Sequence, residues 1–256
     1  MTKPLILITN DDGVSAPGLE FLVGIARSLG EVSVLAPESP MSGTGHAITV
    51  RNPLRLKFVE KEDGFERYSC NGTPVDCIKL GEQVVLRRKP DLLLSGINHG
   101  SNAAVNVVYS GTMAAVIEST IGGVPSIGFS LANYSWNADF SVCEKYIKSI
   151  IKQVLENGLP EGICLNVNIP SVNGSEIKGV KVCRQARARW VEEFDERKDP
   201  ANHDYYWLTG VFELMDNGED TDEWALRNNY VSVVPMHADL TAHHAITEIK
   251  NWKLDV

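Results

Sequence analysis

The sequence predicts an α/β protein: a Rossmann-like, doubly wound and mainly parallel sheet with a C-terminal β-rich extension that serves oligomerisation. Three observations carry this. The chain opens with a β-α-β pattern, short apolar runs then alternate with helical periodicity up to Gly158, and beyond Ile163 the pattern changes to alternating strands. The division falls into a core over 1–170 and an extension over 171–256.

Leu5-Ile6-Leu7-Ile8-Thr9 is an apolar run ending in polar residues, as a strand buried on both faces reads. A helix should follow, because Pro17 suits a first helical position and Leu19, Leu22, Val23, Ala26 and Leu29 recur at helical spacing before Gly30. Val32 to Ala36 completes the β-α-β unit, which places a ligand crevice at the strand ends. Segments 47–50, 54–59 and 66–70 are strand-like. Thr73, Pro74 and Asp76 then offer a cap, a first-turn proline and a first-turn acid for a helix reaching Leu86. Asp91 to Ser95 is a strand, 111–121 a helix closed by Gly122-Gly123, and Pro125 to Leu131 a strand. From Phe140, Cys143, Ile147, Ile150, Ile151, Val154 and Leu155 mark one face of an amphipathic helix. The extension shows strands at 177–183, 187–194 and 204–214, an acidic loop, Val231 to Val234, and a polar tail.

With 256 residues, 43% hydrophobic and 22% charged, the chain can bury a core without staples, and neither disorder nor a disulfide scaffold describes it. Leu5 to Ile8 is too short for a signal or membrane segment, and no later stretch is long enough, so a cytoplasmic protein without membrane contact is expected. Cys70, Cys77, Cys143, Cys164 and Cys183 are odd in number and form no CxxC pair; they should be reduced and mostly buried. A net charge of −9 argues against long nucleic acid as a partner. That charge is local: Glu192 to Glu223 holds twelve acidic residues against Arg197 and Lys198.

Asn10-Asp11-Asp12-Gly13 follows the first strand. Adjacent carboxylates serve one site only where the chain turns, as Gly13 allows, and their repulsion is relieved by a divalent cation between them. Alone, such a pair more often only caps the following turn or helix. The loop 37–45 carries Ser39, Ser42, Gly43, Thr44 and Gly45, and the loop after the 91–95 strand carries Asn98, His99 and Asn102. Tyr109-Ser110-Gly111-Thr112 sits at a helix start, where free N–H groups and the helix dipole favour phosphate. A parallel sheet would converge these loops on one edge.

These residues also carry a resemblance. LITNDDGVSAPG, VLAPESPMSGTGHAIT, CNGTPVDCIKL, PDLLLSGINHGSNAAVNVVYSGT and GVPSIGFSL resemble, in order and spacing, the SurE family of metal-dependent nucleotidases; RQARARW, YYWLTG and DTDEWALRNNYVSVVPMHADLT resemble its C-terminal region. The resemblance implies hydrolysis of nucleoside monophosphates to nucleoside and phosphate, with possible further activity on 3′-nucleotides and short polyphosphate. It implies metal ligands at Asp11, Asp12, Ser42 and Asn98, and a homodimer or homotetramer. Asn10, Gly43, Ser110, Gly111 and Thr112 are expected beside the phosphate. An all-oxygen donor set suits Mg²⁺ or Mn²⁺, with metal-activated water as the nucleophile and Asp11 or Asp12 taking its proton.

Other features read plainly. His46 and His99 are expected as local hydrogen-bonding groups, Cys77 as core, and Arg184, Arg187 and Arg189 as facing a partner subunit or an anionic substrate. Trp190, Tyr205, Tyr206, Trp207 and Trp224 are expected at an interface. A haloacid-dehalogenase-type phosphatase needs a nucleophilic Asp two residues before a second Asp, whereas these are adjacent. A dinucleotide-binding dehydrogenase needs GxGxxG at the first turn. A nucleotide- or metal-sensing module without turnover would use the same groups and stays open.

Overall fold

The opening apolar run is buried on both faces, as a central parallel strand must be. In a computed structural model that describes residues 3–172, 176–252 and 254, Ile6 and Ile8 enter one core layer and Leu7 the opposite one. Along the chain run β1 (Leu5–Thr9), α1 (Pro17–Arg27), β2 (Glu31–Pro37), β3 (Leu56–Glu62), β4 (Phe65–Cys70), α2 (Pro74–Leu80), β5 (Leu92–His99), α3 (Gly111–Ile121), β6 (Ser126–Leu131) and α4 (Glu144–Asn157). There follow β7 (Ile163–Ile169), β8 (Gly179–Val182), β9 (Ala188–Lys198), β10 (Asp204–Leu214), α5 (Asp222–Arg227), β11 (Tyr230–His237) and α6 (His243–Lys250).

Nine strands form one sheet in the order β3-β4-β2-β1-β5-β6-β7-β11-β8. The pairs from β4 through β7 are parallel, while β3 against β4 and β11 against β7 are antiparallel. Helices α1 and α4 cover one face through Leu19, Leu22, Ile147 and Ile151; α2 and α3 cover the other through Cys77, Ile78, Ala115 and Met113. The α/β class expected from the sequence is therefore observed.

Several elements differ from expectation. Residues 47–50 form no strand: Ile48 and Val50 are exposed, and the Thr49 amide donates to Asp76 Oδ1 at 3.0 Å, a helix-cap side chain and not a neighbouring strand. The 54–59 strand is displaced to Leu56–Glu62, beyond Pro53 and up to the turn at Asp63-Gly64. β5 continues four residues past Ser95, with a register irregularity between Ser95 and Asn98. β7 has no counterpart in the sequence reading. The acidic loop holds α5, whose cap Thr221 accepts the Trp224 amide at 3.2 Å, and the polar tail contains α6.

Residues after 170 supply both sheet and protrusion. β8 and β11 join the main sheet, whereas β9 and β10 form a separate two-stranded ribbon, paired from Ala188↔Leu214 to Lys198↔Asp204. Exposed Phe194, Tyr206, Trp207, Leu208 and Val211 line this ribbon. All five cysteines are buried and free. Among the described residues no helix is long and apolar enough to cross a membrane.

Candidate active site

After β1 the chain builds β2 and β4 to one side; from β5 onward it builds to the other. The reversal opens a crevice at the carboxyl ends of β1 and β5, the topological switch point where such sheets bind ligands. Asp11 and Asp12 follow β1, Asn98 lies near the end of β5, and Ser42 stands in the loop after β2. Asp11, Ser42, Gly43, Asn98 and Ser110 line one cleft of ≈ 330 Å³, together with His99, Asn106, Tyr109, Tyr134 and Trp190.

Asp11 is buried and accepts the Thr112 hydroxyl at 2.5 Å. Its backbone carbonyl accepts the Met41 amide at 2.7 Å, which draws the Ser42 loop over the site. Burial first, and then the Asp12 charge, raise the Asp11 carboxyl to about 6 against the pull of the Thr112 hydrogen bond. Asp12 is also raised by burial, although its Oδ2 accepts the His99 amide at 3.2 Å. Two adjacent carboxylates raised by burial are the electrostatic condition that a bound cation relieves. Gly13 makes the turn at φ +101°.

The other donors fit. Asn98 Nδ2 donates to the Gly100 carbonyl at 2.8 Å, which fixes the orientation of the amide. Asn10 is fully buried; Nδ2 donates to the Gly13 carbonyl at 3.0 Å, and Oδ1 has no protein partner. Among the described residues no cluster of three or more His, Cys, Asp or Glu forms a metal site. A cation held here would need hard oxygen from a hydroxyl and an amide beside the carboxylates.

The helix start is placed as expected. Ser110 caps α3 by accepting the Met113 amide at 3.1 Å, and a Cβ at Gly111 would come within 2.7 Å of Asp11 Cβ, so only glycine lets α3 approach this closely. Thr112, expected beside the phosphate, is fully buried and donates to Asp11. Asn106, Tyr134 and Trp190 were not read as site residues. Trp190 lies in the β9-β10 ribbon, far along the chain from β1 and β5, and reaches the cleft because the ribbon folds back, with Nε1 donating to Asn106 Oδ1 at 2.9 Å.

The side chains of the remaining candidates make contacts within the chain. His46 meets Glu118 at 3.0 Å, and His99 stacks on Trp136 with ring centroids 5.2 Å apart. Arg184 pairs with Asp216 and Asp220, and Arg189 with Glu213, so these arginines are committed within the chain. The Cys77 thiol is pushed far above its ordinary value by burial and by Cys70.

Fold and cleft together define a doubly wound α/β protein whose switch point holds Asp11 against a helix start, with Asp12 next to it in the chain. The sequence matches the family model described as survival protein SurE over residues 6–192, and the chain belongs to the SurE family. It is 55% identical to the 5′-nucleotidase SurE of Flavobacterium psychrophilum over all of both chains. It is 57% identical to that of Christiangramia forsetii, over 99% of this chain and 98% of the relative. The crystal structure of the SurE protein from Aquifex aeolicus superposes with a TM-score of 0.83 at 41% identity, covering 96% of this chain and 98% of that one.

Proposed function

We propose that this chain is a metal-dependent nucleotidase, hydrolysing nucleoside monophosphates to nucleoside and phosphate. One observation carries the reading: Asp11, Ser42, Asn98 and the Ser110 start of α3 share one cleft at the β1/β5 switch point, with Asp12 next to Asp11 and hydrogen-bonded to the His99 amide. Relatives over the whole chain length are named 5′-nucleotidases, which supports it. Asp11, Asp12, Ser42 and Asn98 would hold Mg²⁺ or Mn²⁺. The chemistry such a cation supplies when bound is to neutralise phosphoryl charge and to lower the pKa of nearby water.

The protein's own groups do the rest. The first N–H groups of α3 at Gly111 and Thr112, with Ser110 and Gly43, receive the phosphoryl oxygens. Asp12 keeps Oδ1 free of the His99 amide and takes the proton from the attacking water, while Asp11 is held in place by Thr112. Beside the acidic cleft lies a second hollow of ≈ 550 Å³ that shares Gly43, Tyr109 and Trp190 with it and adds Leu208. Its apolar lining suits a nucleoside. The enzyme is cytoplasmic and assembles as a dimer or tetramer through the β9-β10 ribbon.

Phosphate release from AMP tests this. The wild-type chain should release phosphate with Mn²⁺ and stop when the metal is chelated. Nucleotide binding without any release would favour the sensing module instead.

A further inference from the structure

Asp222 is fully buried, and what meets its carboxylate is backbone. Oδ2 accepts the Ala104 amide at 2.8 Å; Oδ1 accepts the amides of Ala186 at 2.9 Å and Glu223 at 2.8 Å. These donors belong to three segments: the turn before α3, the foot of β9 and the start of α5. Ala104 is held at both its backbone groups, since Gln185 Nε2 donates to its carbonyl at 2.9 Å. Ala104 has φ +50°, a left-handed conformation that a residue with a Cβ keeps only when its surroundings hold it.

From Ala104 a tight helical turn over 104–109 leads into Ser110 and α3. Four residues after Ala186, Trp190 donates to Asn106 in the same turn. A buried carboxylate is tolerated when its lone pairs are met, and charge-assisted bonds to amides fix the donors and the acceptor relative to each other. Asp222 thus ties the wall that carries Trp190 to the turn that carries Tyr109.

We propose that Asp222 is a positioning residue for the nucleoside end of the substrate: it locks the foot of β9 to the 104–109 turn, so that Trp190 and Tyr109 stand at a fixed separation across the apolar hollow. The identity of the ligand rests on the nucleotidase reading; the lock does not.

Asp222→Asn keeps the size of the side chain but turns an N–H group toward one of the amides. With Mn²⁺ present, KM for AMP should rise about tenfold while kcat and the inhibition constant of inorganic phosphate stay within about twofold. An unchanged KM, or a fall in kcat alone, overturns the proposal. Trp190→Phe keeps a ring and removes the bond to Asn106; it should raise KM in the same way, and serves if Asp222→Asn does not fold. Wild-type KM in that variant overturns the proposal as well. Hydrogen exchange without substrate reads the lock by itself. Peptides over 103–109 and 185–191 should exchange faster together in Asp222→Asn, and acceleration confined to 220–227 overturns the lock whether or not AMP is a substrate.

Discussion

Thr112 shows how a single side chain supports the site without lining it. Its hydroxyl holds Asp11 Oδ1, so Thr112→Ala should weaken Mn²⁺ affinity about tenfold with little change in melting temperature, measured by titration calorimetry. Cys77 is a contrasting case. Burial and the neighbouring Cys70 raise its thiol pKa, which disfavours the thiolate a nucleophile needs; Cys77→Ala should retain turnover, and rapid quench should trap no phosphorylated side chain. Asp76 governs acid stability. Burial opposes its charge, yet hydrogen bonds from Thr49 and Thr73 outweigh that and hold its carboxyl below the ordinary value. A lowered folded pKa gives stability that is complete above the unfolded value, near pH 3.9, and lost as pH falls through the folded one. Urea unfolding of wild type and Asp76→Asn should therefore differ by a constant amount from about pH 7 to about pH 5, and the gap should shrink below about pH 4. A gap unchanged at about pH 3 would show that the carboxylate is not the source.

At the scale of elements, what could be read from sequence follows how locally each one is determined. β1, α1 and β2 were legible because their apolar spacing and their proline and glycine punctuation lie within the elements themselves. α2 was legible for the same reason: the Thr73-Asp76 capping box is complete in the structure. Residues 47–50 misled because Ile48-Thr49-Val50 is strand-like in composition, while its backbone is claimed by Asp76, 27 positions away. β7 was missed because Asn166 and Asn168 interrupt its apolar run. Both are buried and satisfied, Asn166 Nδ2 by the Asn102 carbonyl at 2.9 Å and Asn168 Oδ1 by the Asn102 amide at 2.8 Å, and no local pattern announces that. The β9-β10 ribbon exposes Phe194, Tyr206, Trp207 and Leu208, more apolar surface than an isolated hairpin sustains. Replacing 195–207 by an Asn-Gly turn preserves the Phe194↔Leu208 pairing. The shortened chain should sediment as a smaller species than wild type, and identical sedimentation would remove the ribbon from the assembly.

For the whole molecule, topology converts four separated strings into one site. Asp11, Ser42, Asn98 and Ser110 are spread over a hundred residues, and the order β2-β1-β5-β6 brings them to one cleft edge. Loops at the ends of parallel strands pointed to one edge of the sheet, and the resemblance to the SurE family supplied Ser42 and Asn98 as candidates. The Trp190 wall was not readable, since it depends on a ribbon folding back and on the Asp222 contacts that seat its foot. The central claim is that the paired carboxylates hold a cation on which turnover depends. The most direct measurement titrates Mn²⁺ into wild-type and Asp11→Asn protein by calorimetry and follows AMP hydrolysis in the same samples. Asp11→Asn should melt no lower than wild type, because it relieves repulsion from Asp12, yet lose both the binding isotherm and phosphate release. A folded Asp11→Asn protein that binds Mn²⁺ as wild type does, or still hydrolyses AMP at the wild-type rate, would contradict the account.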